Sequence, residues 1–343
     1  MHRMRMWGTV LLLMISASPV FCQSQSQSQS LKQSQAIKSY SHEMGTVSLS
    51  AVPEKIVALD WALTETLLTL GITPYAVADA NGYQHWVGSP PLPQSVIDLG
   101  SRREPNLELL AHIQPDLIIM NQSLAPAFAH FEAIAPTMVL SLYGPTKQPY
   151  QTAERITQLL GEIVQKTALS KQVISTTRTR LQEQGRRLQD AGLAHRPLLV
   201  VRFIGNKHLR VQGAGSLTGD TLAHMGLTNS WQASTNRWGF SAVGLDKIAT
   251  HQQANMVYLG PMDAAQQAAF FSTPLWQAMA FHREQRAFSL PPIWTFGGLH
   301  SAARLATQMV DTLITSTLIP GTSIKDLSIT GTLTAGQANH ERR

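Results

Sequence analysis

The sequence predicts a two-lobed α/β protein with a ligand cleft between the lobes. Three observations carry this. Apolar runs of strand length alternate with helical patterns in two separate regions. A long helical tract with no strand in it divides those regions. At 343 residues the chain is too long for one ordinary domain and suits two.

Residues 55–60, KIVALD, read as an apolar strand. A short helix follows at 62–70, with Leu63, Leu67 and Leu70 on one face and Gly71 placed as its left-handed terminus. Residues 75–79, YAVAD, return as a second strand, which predicts parallel pairing through a right-handed crossover. The stretch 96–121 reads as loop, helix, strand. Gly100 permits a sharp turn, and Pro105 sits near a first helical turn, where its missing N–H costs nothing. Leu107, Leu110 and Ile113 share a helical face, Pro115 ends the helix, and residues 117–120 are apolar throughout. A further strand is expected at 138–143. Arg102 and Arg103 thus lie on a loop at the edge of an α/β layer, where ligands of open sheets bind.

The helical tract carries Ile156, Leu159, Leu160 and Ile163 at helical spacing, and a second helix runs over 170–191. Strands resume at 198–203 and 208–211, a helix at 217–225 ends at Gly226, and further strands are expected at 256–259 and 286–290. A last helix covers 300–315. Two lobes joined by one helix pinch a cleft, and a helical connection favours small opening motions over a wide hinge.

The N-terminus reads as an export signal, 1–22: a basic start, an apolar run too short to span a bilayer, then small residues. Cleavage after Cys22 would leave a soluble exported chain without cysteine; lipidation of Cys22 is the alternative. A Gln/Ser-rich tether, 23–47, follows, and residues 41–49 supply an edge strand. The formal charge of +6 is diffuse, with no basic run longer than a pair, which excludes a nucleic-acid-binding composition.

Loop aromatics recur in both regions: Tyr83 and Trp86, Trp231 and Trp238, Trp276, then Trp294 with Phe296. Jointly they argue for an aromatic-lined cleft suited to a bulky, rigid ligand. The fork of donors on Arg102 suits a ligand's oxyanions. Histidines are scattered, without HxH or HExxH spacing, so no direct metal site is expected. GxSxG, GxxxxGK[ST] and GxGxxG after a strand are missing, so no enzyme is expected and no catalytic residue is assigned.

The runs KIVALDWALTETLLTLGITPYAVAD, YQHWVGSPPLP, VIDLGSRREPNLELL, NSWQASTNRWG, TPLWQAMAF and LPPIW are similar, in order, to the periplasmic ferric-hydroxamate siderophore-binding proteins of ABC importers. The resemblance implies two Rossmann-like lobes, 48–148 and 174–320, bridged by a single long α-helix at 149–173, with a tail at 321–343. It implies a monomer without cofactor that captures a preformed ferric siderophore. Delivery would be to an inner-membrane ABC permease with its cytoplasmic ATPase. By resemblance, Arg102 matches the arginine that reads hydroxamate oxygens, and Trp86, Trp238 and Trp294 match cleft rings. Phe296 and Leu124 stand where the family has tyrosines, so two hydroxyls are lost. For permease docking, Asp246 matches the carboxylate of the second lobe. Ala129 occupies the first-lobe glutamate position, leaving Glu132, one turn on, to serve that face. The alternatives are another iron chelate (a carboxylate siderophore or haem), a corrinoid, or an exported siderophore hydrolase. A carboxylate ligand would want a second cleft arginine, for which Arg103 and Arg237 are the candidates.

Overall fold

The computed structural model describes residues 37–204, 208–260, 262 and 264–318. The expected export signal, the tether before residue 37 and the tail after 318 lie outside them. A hairpin of β1 (Lys38–His42) and β2 (Gly45–Leu49) comes first, where one edge strand was expected. The first lobe then runs β3 (Ile56–Ala58), α1 (Trp61–Thr69), β4 (Ala76–Val77), α2 (Ala80–Trp86), β5 (Ile97–Asp98), α3 (Leu107–Ile113), β6 (Leu117–Met120), α4 (Phe128–Glu132) and β7 (Thr137–Val139). Two helices follow, α5 (Pro149–Ile163) and α6 (Thr167–Asp190). The second lobe comprises β8 (Leu198–Ile204), β9 (His208–Gln212), α7 (Leu217–His224), β10 (Phe240–Gly244), α8 (Leu245–Ile248), β11 (Asn255–Leu259), α9 (Ala264–Phe271), α10 (Pro274–Ala278), α11 (Ala280–Arg283), β12 (Ala287–Leu290) and α12 (Leu299–Leu318).

The first sheet has the order β5-β4-β3-β6-β7 and is parallel throughout. Its central strands are buried on both faces, which is why they read as unbroken apolar runs. The second sheet has the order β10-β9-β8-β11-β12. β8, β11 and β12 are parallel, whereas β9 and β10 are added antiparallel at one edge. The edge strand β10 lies in a stretch that reads as loop in the sequence.

The chain crosses between lobes along α5. Ile156, Leu160 and Ile163 of α5 are buried, as their spacing requires. The helix is shorter than the 149–173 expected: Val164 ends it, Gln165 takes a left-handed φ of 54°, and α6 begins at Thr167. The expected boundary at 174 therefore falls inside α6. One hydrophobic cluster runs from Leu63 and Leu67 of α1 through Leu160 to Leu222 of α7 and Leu305 of α12, so the lobes share a core on this side.

α6 approaches α7 closely at Gly185. A Cβ there would run into the backbone carbonyl of Met225. Gly185→Ala is expected to lower stability by about 1–3 kcal/mol, the usual cost of overpacking, in spite of the ~1 kcal/mol a helix gains from losing a glycine. The urea midpoint checks this; an unchanged or raised midpoint would count against it.

Candidate functional site

Both lobes present side chains to one cavity between them. From the first lobe come Trp61, Trp86 and Arg102; from the second come Arg202, Arg210, Gln212, Trp294, Thr295 and Phe296.

The first-lobe wall is built at the C-terminal edge of the parallel sheet, where strand ends leave a crevice. Asp60 follows β3 and caps α1, accepting the amides of Ala62 and Leu63. Its other oxygen accepts the Asn121 amide at 2.6 Å. Burial nevertheless holds its carboxyl above the usual range. The cap places Trp61 in the first turn of α1, with its indole N–H donating to the Asp79 carbonyl at 3.1 Å.

The loop after β5 carries Arg102. Gly100 turns it with a φ of 77°, as its position in the sequence suggested. Asp98 locks the turn by accepting the amides of Asp79, Ala80 and Gly100. The guanidinium of Arg102 then lies over Trp61, its Cζ 3.4 Å from the ring centroid, and 5.7 Å from the Trp294 ring. Its Nε lies 3.4 Å from Asp79 Oδ2, without hydrogen-bond geometry.

The opposite wall comes from β8, β9 and the loop before α12. The antiparallel register sets Arg202 directly opposite Arg210. Arg202 donates to the Ile293 carbonyl at 2.7 Å and lies 5.3 Å from the Trp86 ring of the other lobe. Trp294 meets Trp61 edge to face at 4.9 Å, and Phe296 packs at 5.2 Å from Trp294. Tyr143 donates its hydroxyl to the Thr295 carbonyl at 2.8 Å and accepts the Leu217 amide, fixing this loop to the start of α7.

Of the residues singled out in the sequence, Arg102, Trp86, Trp294 and Phe296 meet in this cavity. The others do not. Trp231 and Trp276, expected among the cleft aromatics, are buried in the core of the second lobe. Tyr83 is fully buried in the lobe interior, and its hydroxyl donates to the Pro90 carbonyl. Leu124 lies in a 3₁₀ turn, Gln122–Ala127, and packs into the core with Leu59, Met120 and Phe131, so it is not a cavity wall. Trp238 is 39% exposed; it stacks on Phe240 and under Arg237, outside the lining. Arg103 is exposed as well. Asp246 opens α8 and Glu132 ends α4, both exposed. Among the described residues no cluster of three metal-ligating side chains occurs.

Sequence reasoning missed Trp61, Arg202, Arg210 and Gln212. Arg202 is a lone charge within the otherwise apolar strand LLVVRFI, which alone does not place it in a cleft, and HLRVQ is polar at both ends and does not single out Arg210.

Residues 56–293 match the periplasmic binding protein family. The chain is also 34% identical to the iron(3+)-hydroxamate-binding protein FhuD of Escherichia coli, over 76% of this chain and 87% of the relative. The chain belongs to this family. Among solved structures, the binding protein superposes on the Fe3+-Desferal-bound siderophore binding protein FhuD of Vibrio cholerae with a TM-score of 0.71. The identity is 28%, over 76% of this chain and 97% of that one. The Fe(3+) dicitrate-binding periplasmic protein FecB of Escherichia coli is 24% identical over 78% of this chain and 87% of its own. Among the described residues no helix is long and apolar enough to cross a membrane.

Proposed function

We propose that the protein captures a ferric siderophore of the hydroxamate type outside the inner membrane and delivers it to an ABC permease with its cytoplasmic ATPase. The observation that carries this reading is Arg102 stacked on Trp61 at the rim of an aromatic cavity between two lobes. Indole faces and the Phe296 ring offer apolar walls to the organic shell of a chelate. The guanidinium offers donors to the oxygens around the metal. The iron arrives already chelated, so no protein ligand to it and no cofactor is called for. The two curated relatives named above bind ferric chelates by name, which supports the same class of cargo.

The cavity encloses about 260 Å³, and the Trp61–Trp294 contact crosses it. A bulky chelate therefore enters by parting these rings. Exposed Asp246 and Glu132, one on each lobe, are the carboxylates offered to the permease. The binding protein acts as a monomer, released by signal cleavage or held by lipid at Cys22.

Titrating the intrinsic tryptophan fluorescence of the mature protein tests the reading. Ferrichrome, ferrioxamine B and a ferric hydroxamate bearing a citrate backbone are the ligands, each beside its iron-free form. The expected result is saturable, sub-micromolar quenching by at least one ferric form and not by its iron-free partner. No response to any ferric chelate would overturn it.

A further inference from the structure

The cavity holds more positive charge than a neutral cargo explains. Arg202 and Arg210 sit directly opposite each other on neighbouring antiparallel strands, where like charges are destabilising. Among the described residues no carboxylate lies within ion-pairing distance of either, whereas Arg102 has Asp79. Arg202 spends one donor on the Ile293 carbonyl. Arg210 Nε, a donor, is buried without a hydrogen bond and so calls for an acceptor. Gln212 Oε1, two residues on along the same strand, is also unpaired, but as an acceptor it calls for a donor on the cargo beside the anion. Gln212 is almost wholly buried, at 1% exposure, and both residues line the cavity. Buried polar atoms are normally paired, so orphans gathered at one wall mark a place where a partner is due. Desolvation and the charge of Arg210 push Arg202 down to about 10, which still leaves it charged at neutral pH.

We infer that Arg202 and Arg210 form an anion subsite, and that the cargo is a ferric siderophore carrying a carboxylate and net negative charge. The inference rests on the siderophore reading and narrows it. The carboxylate lies against β8 and β9, bridging the two guanidiniums, while Arg102 on the facing wall takes the oxygens around the metal. Planar forks match carboxylates through paired donors. The second cleft cation that a carboxylate cargo requires thus comes from β8 and β9, and not from Arg103 or Arg237.

The test compares two ferric probes on the full mature protein: ferric aerobactin, a citrate-based dihydroxamate whose two side-arm carboxylates stay free of the metal, and neutral ferrichrome. Wild type, R210Q and R210K are titrated at low and high salt. The anionic probe is expected to bind at least about tenfold more tightly than ferrichrome, as one charge-assisted pair allows. R210Q is expected to narrow that preference by about tenfold, and R210K to restore part of it. Salt should weaken the anionic probe more than the neutral one. Ferrichrome binding as tightly as the anionic probe, or R210Q lowering both affinities equally, would overturn the subsite while leaving the siderophore reading intact. Failure of every ferric probe to bind would overturn both. Thermal melts of each variant separate lost recognition from lost folding, and R202Q provides the same preference ratio from the other strand should R210Q fail to fold.

Discussion

Replacing Glu65 by alanine is expected to destabilise the protein by about 2–4 kcal/mol. Glu65 has no exposed surface and projects from α1 to the start of α12, from one lobe to the other. One carboxylate oxygen accepts the amides of Gly298 and Ser301 at 3.0 and 2.9 Å, and the other accepts the Ser301 hydroxyl at 2.5 Å. The first amides of a helix have no partner within it, so alanine would strand these donors where water does not reach. Each such orphan costs about 1–3 kcal/mol, and the net loss falls short of the sum because the carboxyl's own burial cost disappears with it. That cost is visible in the titration of Glu65: burial pushes it from an ordinary 4.5 up to about 7, against the pull of three donors and of Arg304. Between those values the folded protein keeps a proton that the unfolded chain has released, so the contribution of Glu65 falls as pH rises from 4.5 to about 7. His300 acts in the opposite sense. Burial and neighbouring arginines hold it down at about 4, so folding is opposed as pH falls from 6.5 toward that value. The wild-type curve mixes both, and the difference between wild type and Glu65→Gln isolates the carboxyl. The glutamine keeps an acceptor for both amides and does not titrate, so it should gain on wild type as pH rises through this window. Urea unfolding at several pH values measures this. Parallel curves for wild type and Glu65→Gln, or a loss under about 1 kcal/mol in Glu65→Ala, would refute the assignment.

The same junction bears on how the lobes move. Arg304 of α12 donates to the Val87 carbonyl at 2.6 Å, and His300 bonds Ser89 at 2.9 Å. With Glu65 these links tie α12 to the first lobe, beside the core that both lobes share. Ligand entry therefore works against a fixed back edge, which fits small movements at the cleft better than a wide hinge.

What the sequence made legible follows from where its signals are local. The leucine face of α1, the left-handed Gly71 after it, the turn at Gly100 and the apolar strands β3 and β6 are each written within a few residues, and each formed as read, whereas Asp60, read as the end of a strand, caps α1. Arg102 was legible because its loop sits between a strand and a helix start. Arg202 and Arg210 were not, because only the pairing register of β8 with β9 sets them side by side. Trp61 was hidden for another reason: one tryptophan in the first turn of an apolar helix looks like core, and only the Arg102 loop folding over it shows otherwise. Leu124 misled because alignment to a family position carries no information about which way a 3₁₀ turn faces. The strands β4 and β5 are two residues each, too short for any period to register.

Arg102→Ala is expected to weaken ferric-siderophore binding by roughly ten- to a hundredfold, the range of one to two charge-assisted hydrogen bonds, while stability stays within about 0.5 kcal/mol of wild type. The two effects separate because of how the side chain is held. Its pairing with Asp79 is long, at 3.4 Å, and each side chain is about one-third exposed, so water and salt screen most of the pair's energy. The contact with Trp61 holds the guanidinium in place before any ligand arrives. Little side-chain entropy then remains to be lost on binding, and the donors meet the chelate already aligned. Arg102→Lys keeps the charge but neither stacks flat nor spans two oxygens, so it should recover only part of the affinity. Fluorescence titration beside urea unfolding reads both quantities on the same protein. Binding within about twofold of wild type in Arg102→Ala would move recognition to Arg202 and Arg210 on the facing wall. A large loss of stability with unchanged affinity in the folded fraction would instead make the arginine a support for Trp61.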